Sequence, residues 1–510
     1  MDRLCWVVVL LSLTLLGCAQ APEKSPFTGF YKGYDSCRQE FAAADARIAG
    51  AGVGNAEYFR PPGFPYLRTD RMLASLRGEL ADRDAIWEWQ RRMRELDREL
   101  REYELYNLNL NDYDRAVLRD RLADCGRVLA DVELKNDRNW ERLMRVVQPD
   151  DDYSTVARIL GLHALTAAAR TPRLRAERDA WVEAYRAPLP AQTAATSRIW
   201  TARPTEDFLE TAASDAVEVN VLGFPGLIGS GWRALAYAHA PRLRIEGTDG
   251  HDVPSRLRYG GAVLEADTSL PAVYYHLGYT RFGGQTLIQV SYYVWFAAPD
   301  ETRTGPVDGF VWRVTFDPSL RPLVYDSAHG SGRDHRWYPV QALDARRSGA
   351  DVEPQFIAPT MAPESAATLL LASGSHAVRR VVPEAQAQHA AAGEYELLPY
   401  EELYSLETAT GSRRSVFGPN GVVRGSQGRD PMMGFSSGVA DAGALRQIGH
   451  MPIANKGKRH WDDPDLLGWA FVDPVWPKRA VPESSGQGQA RLPQPDAAAF
   501  IVGKPAGSSR

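Results

Sequence analysis

His329 and His335 lie six positions apart in the stretch YDSAHGSGRDH, residues 325–335. Imidazole exchanges protons near neutral pH and is a common zinc ligand. Gly330 and Gly332 give the loop freedom to fold back and aim both rings at one centre. A third group must then come from elsewhere. His276 is the first candidate, because it falls near the end of a strand-like run that leads to Gly278. His251 and Asp252, in GTDGHDVPSR, are a second source, and Asp326 or Asp334 would add oxygen. Three protein ligands and one water suit zinc-assisted hydrolysis. The pattern predicts a catalytic set of His276, His329, His335 and Asp326, with zinc on the three histidines. Spacing alone is weak grounds. No His-Glu-x-x-His is present, and hydrogen-bonded or exposed histidines fit the same sequence.

Other chemistries have less behind them. Ser331 sits in Gly-Ser-Gly, but the nucleophile elbow needs Gly-x-Ser-x-Gly between a strand and a helix. The runs GGQTLIQ and GFPGLIGSG lack both phosphate-loop patterns. Near the C-terminus, Arg446, His450, Lys456, Lys458, Arg459 and His460 precede Asp462, Asp463 and Asp465. Such a cluster can attract an anionic lipid headgroup or polysaccharide. Neighbouring charges of opposite sign more often pair with one another, and that structural reading is favoured. Trp337 and Tyr338 follow His335 and would form a wall for a sugar ring, although aromatics usually pack.

Positioning these groups falls to two kinds of element. Residues 30–186 read as helical. In IWEWQRRMRELDRELREY, Ile86, Trp89, Met93, Leu96, Leu100 and Tyr103 recur at helical spacing. Arg94, Glu95, Arg98 and Glu99 read as solvated flanks. The stripe is expected to pack within its own domain rather than against a coiled-coil partner. DYSTVARILGLHALTAAA reads as one helix, and a second is expected to begin at Pro172, where a missing N–H costs nothing. Residues 187–197 look like a linker. Residues 198–475 are richer in aromatic, glycine and β-branched residues and read as a mixed domain. Its clearest part is an antiparallel meander over residues 271–328, in which QTLIQVSYYVWFA alternates between two faces. Thr286, Ile288, Val290, Tyr292, Val294 and Phe296 form the apolar face. The other face, with Gln289, Ser291 and Tyr293 beside Arg313 and Thr315, is expected to line a groove. QAQHAAAGEY reads as a loop, and residues 476–510 as a flexible tail. The fold class is α+β: an N-terminal helical domain, then a mixed domain built on an antiparallel β-meander.

The first residues are set apart from the fold. Leu4 to Leu16 is a short apolar run that suits the core of a signal peptide. It ends in Leu15-Leu16-Gly17-Cys18, which closely resembles the lipobox of bacterial lipoproteins. That resemblance implies removal of residues 1–17, acylation of Cys18 and a tether over residues 18–29. Ala19 follows where an Asp would imply retention at the inner membrane, so the resemblance points toward the outer membrane. Cys37 and Cys125 then remain for one disulfide in an oxidising compartment, and no Cys-x-x-Cys occurs. A net charge of -5 and an exported address argue against a nucleic-acid partner. The reading favoured at this level is a lipid-anchored envelope module that binds or organises an envelope protein or polysaccharide. Its alternative is a hydrolase, metal-dependent or not, centred on His276, His329 and His335.

Overall fold

The computed structural model describes residues 33–188, 197–204, 217–227, 231–247, 250–298, 305–346, 353–361, 367–382, 391–428 and 434–476 except 435. The leader, Cys18 and the tether lie outside these residues, as do nearly all of the linker and the tail.

Helices come first: α1 (Tyr34–Ala51), α2 (Arg71–Ser75), α3 (Arg83–Asn107), α4 (Asp112–Glu133), α5 (Asp137–Val146), α6 (Thr155–Leu160) and α7 (His163–Arg186). Short polar side chains start several of them. Asp70, Asp82, Asn111, Asn136 and Ser154 each accept the backbone N–H three residues on. On α3, Trp89, Met93 and Leu100 are fully buried, so the stripe faces the protein's own interior. Cys37 on α1 and Cys125 on α4 form the expected disulfide. Two helix boundaries differ from expectation. Leu162 takes a left-handed backbone at φ 51°, which breaks DYSTVARILGLHALTAAA into α6 and α7. Pro172 starts nothing; it lies inside α7.

The strands are β1 (Ser197–Ala202), β2 (Val217–Val219), β3 (Pro225–Leu227), β4 (Arg242–Glu246), β5 (Ser255–Gly260), β6 (Val263–Phe282), β7 (Gln285–Ala297), β8 (Val307–Phe316), β9 (Pro322–His329), β10 (Arg336–Pro339), β11 (Thr368–Leu371), β12 (Val378–Val382), β13 (Ala391–Pro399), β14 (Leu406–Glu407) and β15 (Arg413–Arg414). Helix α8 (Gly231–Ala238) precedes β4, and α9 (Leu466–Ala470) lies near the end. The meander is present as β6 to β10, each pair antiparallel. It is only half of an 11-stranded sheet ordered β10-β9-β8-β7-β6-β13-β1-β4-β11-β12, with β5 also on β6. β13 sits between β6 and β1 and runs parallel to both, so the second half of QAQHAAAGEY is strand, not loop. The sheet curls until its ends meet: Arg336 on β10 donates to the Val378 carbonyl on β12 at 2.9 Å. It is nearly a barrel rather than a simple meander.

The apolar face of β7 meets the core as expected, with Val290, Tyr292, Val294 and Phe296 packed on Phe310, Trp312 and Val314. The opposite face is not an open groove. Gln289, Ser291, Tyr293, Arg313 and Thr315 are all buried beneath the helical layer and the C-terminal segments, among Leu100, Tyr400, Trp461 and Leu466. Burial requires that these polar groups find partners. Arg313 supplies the clearest case. It grips Asp326 with Nε at 2.9 Å and Nη2 at 2.6 Å, and lies 3.9 Å over the Trp461 ring.

Candidate functional site

Pleat parity decides where the three histidines go. Across the sheet, His276 stands opposite Ser291, Ser291 opposite Arg313, and Arg313 opposite Asp326. Residues paired in register share a face. His329 is three residues beyond Asp326 on the same strand, so it points to the other face.

His335 does return to the Asp326 side. Its Nε2 lies 2.9 Å from Asp326 Oδ2, against Trp337 and Trp461. Burial holds its pKa below the ordinary value despite the Asp326 carboxylate. Asp326 is held below the usual carboxylate range, since Arg313 and the His335 hydrogen bond outweigh its own burial. This arrangement locks strands together and leaves no group free for chemistry.

His329 belongs to a different chain of contacts. Its Nδ1 receives the Ser331 hydroxyl at 2.7 Å, and its Nε2 lies 2.9 Å from Asp308 Oδ1. Asp308 Oδ2 is 3.7 Å from His376 Nδ1, and His376 Nε2 is 3.2 Å from Asp252 Oδ1. The Ser-His-Asp order is present, but Ser331 is buried and its loop is tightly packed. A Cβ at Gly332 would stand 2.2 Å from the Pro452 carbonyl oxygen. Among the described residues, no group of three or more His, Cys, Asp or Glu side chains could hold a metal ion. The expected zinc site on His276, His329 and His335 is therefore wrong, because His329 stands on the face opposite His276 and is held by Asp308, while His335 is held by Asp326.

His276 alone sits among groups suited to proton transfer. The segment after α1 brings in Glu57, α3 brings Glu99 and Tyr103, and a 3₁₀ turn, Tyr400–Tyr404, brings Glu401 and Tyr404. Asn107, at the end of α3, fixes that turn by donating to the Tyr404 carbonyl at 2.7 Å. His276 Nε2 is 3.9 Å from Glu57 Oε1, and Nδ1 is 3.4 Å from Glu401 Oε1. One imidazole thus stands between two carboxyl groups. The floor is closed: Glu57 is 2% exposed, Tyr404 donates its hydroxyl to Glu57, and the Tyr400 ring lies 4.4 Å from Tyr293. The rim is open, since Glu99 is exposed and Tyr58, Tyr103 and Glu401 are half-buried. Together with Tyr404 they surround His276 with tyrosine and carboxyl side chains.

Electrostatics distinguish the carboxyls. Burial pushes Glu57 up to about 7, against the opposing pull of His276 and the Tyr404 hydroxyl. Glu99 also moves up, through crowding by the pocket walls and the charges of Glu401 and Glu57. Being exposed, it is screened by solvent. For His276, burial favours the neutral ring, but Glu401, Glu57 and Glu99 outweigh it and raise its pKa. Among the described residues, Glu57 Oε1, His276 Nδ1 and Tyr293 Oη find no hydrogen-bond partner. Buried polar atoms left unpaired are costly, and here three point to one small region.

Glu57, Glu99 and Glu401 were invisible in the sequence. Glu57 sits in an irregular segment, and Glu99 looks like any solvated flank of α3. The one available hint was Tyr103, four residues from Glu99 and at the edge of the buried stripe. The C-terminal charges do pair, but mostly with Asp151 and Asp152 rather than with the adjacent Asp462, Asp463 and Asp465. Lys458 meets Asp151, Arg459 meets Asp465 at 2.7 Å, and His450 and His460 both hold Asp152, at 2.9 and 3.0 Å. No family model, curated protein or solved structure matches the chain.

Proposed function

We propose that the protein is a lipid-anchored hydrolase of the bacterial cell envelope, working by acid–base catalysis in the pocket around His276. The observation that carries this reading is Glu57, a carboxyl pushed up to about 7 beside a histidine and a second carboxylate. A carboxyl that keeps its proton near neutral pH is a ready general acid. Glu57 gives its proton to the leaving oxygen. Glu401 takes a proton from the attacking water, and the His276 ring between them steadies the carboxylate that Glu57 becomes as it gives up its proton. After the products leave, the proton returns from Glu401 to Glu57 through solvent. The tyrosine walls and carboxylate rim suit a hydroxyl-rich chain, so the substrate class is an envelope polysaccharide cleaved at a glycosidic bond. Acylation at Cys18 keeps the enzyme at the outer membrane, beside that substrate.

The test is release of reducing ends from isolated peptidoglycan and lipopolysaccharide by the purified chain. Glu57→Gln is expected to lower kcat by roughly 10²–10⁴-fold, in the range removed with a general acid. A second reading, a non-catalytic polysaccharide-binding pocket, is favoured by the three unpaired polar atoms, which a bound hydroxyl would satisfy. Binding without turnover in the parent chain selects it. Neither binding nor turnover would sink both.

A further inference from the structure

The hairpin of α6 and α7 is apolar on the outside. Val156, Ile159, Leu160, Leu162 and Leu165 are 67%, 70%, 64%, 61% and 68% exposed. Ala164, Ala168 and Ala169 extend the surface along α7. The hairpin is held in place at its base. Arg158 donates to the Ser437 and Gly457 carbonyls, both at 2.7 Å, and His163 bridges the Ser436 and Lys456 carbonyls. Its apolar side chains therefore project from a fixed support.

Charge identifies what covers them. The chain has 64 acidic residues in 510, yet Ser154 to Ala176 contains none. The same stretch carries Arg158, Arg170, Arg173 and Arg175. Arg158 donates to carbonyls, lies over the Tyr153 ring and forms no ion pair among the described residues. The apolar, arginine-bearing stretch over residues 154–176, free of acidic residues although Arg173 reaches Glu177 on the next turn of α7, is complementary to anionic lipid headgroups over hydrocarbon. A second copy is a poorer match. Five aliphatic side chains offer on the order of 500 Å², short of the roughly 800 Å² per partner that a stable dimer buries. No described helix is long and apolar enough to cross a membrane, so the contact is interfacial.

We propose that the α6–α7 hairpin docks on an anionic bilayer, with Ile159, Leu160, Leu162 and Leu165 entering the boundary between headgroups and acyl chains. The docking is independent of acylation at Cys18 and of activity at Glu57. It sets which side of the protein faces the membrane.

The experiment is vesicle flotation of the purified chain without residues 1–18, all of which lie outside the described residues. Vesicles of phosphatidylethanolamine with phosphatidylglycerol should carry the protein upward, and phosphatidylcholine vesicles should carry far less. The triple variant Ile159→Ser/Leu160→Ser/Leu165→Ser should lower the bound fraction at least about tenfold, since binding scales with buried apolar area. Its unfolding midpoint should not move, because these side chains are exposed. In a separate Ile159→Trp chain, emission should shift to the blue when anionic vesicles are added. Equal flotation of the triple variant, or no flotation of the parent, overturns the proposal. So does a parent dimer that the triple variant converts to monomer, which would assign the surface to a second copy.

Discussion

At the scale of single residues, Glu57 holds a proton where most glutamates have lost theirs, and two measurements follow. Hydrolysis should fall as pH rises through about 7, where Glu57 ionises. Its raised pKa also bears on stability. The contribution is fully present below the ordinary glutamate value of 4.5 and is lost as pH rises toward about 7. Glu57→Gln should therefore be neutral at pH 4 and stabilising at pH 8, by up to roughly 3 kcal/mol, read from urea midpoints. Arg313 behaves in the opposite sense. Arg313→Ala leaves the buried Asp326 with His335 in place of its charged partner and should cost about 3–5 kcal/mol in the same assay. Part of this scale was legible in the sequence. Asp326 and His329 are three apart on a strand, and period-two alternation alone puts them on opposite faces. The role of Glu57 was not legible, because His276 and Glu401 reach it only through the tertiary fold.

At the scale of elements, the nearly closed sheet depends on groups that titrate. Asp308 on β8, His329 at the end of β9, His376 between β11 and β12, and Asp252 before β5 join its two ends. For His376, burial opposes the charge, but Asp252 and Asp308 win and raise the pKa. Its contribution is present below the ordinary histidine value of 6.5 and fades as pH rises through the folded value. Asp308 is depressed, so its share is present above the ordinary aspartate value of 3.8 and fades as pH falls. Thermal midpoints should peak between these limits. His376→Asn should flatten the alkaline side and lower stability by about 1–3 kcal/mol, the cost of stranding a buried partner. The disulfide acts on the helical layer. A loop spanning 88 residues between Cys37 and Cys125 corresponds to about 4–5 kcal/mol in the chain-entropy treatment. The double Cys37→Ser/Cys125→Ser variant should lose a large part of that, measured by thermal unfolding without reductant. The meander was readable because its strands alternate and follow one another. The parallel strands beside it carry no such local mark, and α6 and α7 looked continuous because nothing in Gly161-Leu162 announces a left-handed leucine.

At the scale of the molecule, the helical layer is part of one folded body with the sheet. Leu100 of α3 enters the same core as Tyr293 and Trp461, and His450 accepts a place against Ala56. The pocket exists only because these layers meet. The strand at the centre of the sheet has a consequence in time. β13, Ala391–Pro399, separates β6 from β1, although it leaves the ribosome long after both. With translation at roughly 5–20 residues per second, the edges of β1 and β6 wait on the order of ten seconds for their common neighbour. During that interval each offers a row of unpaired backbone groups to any passing strand. A nascent chain stalled before residue 391 should therefore recruit holding chaperones or aggregate. Supplying residues 391–399 as a free peptide should compete with that fate.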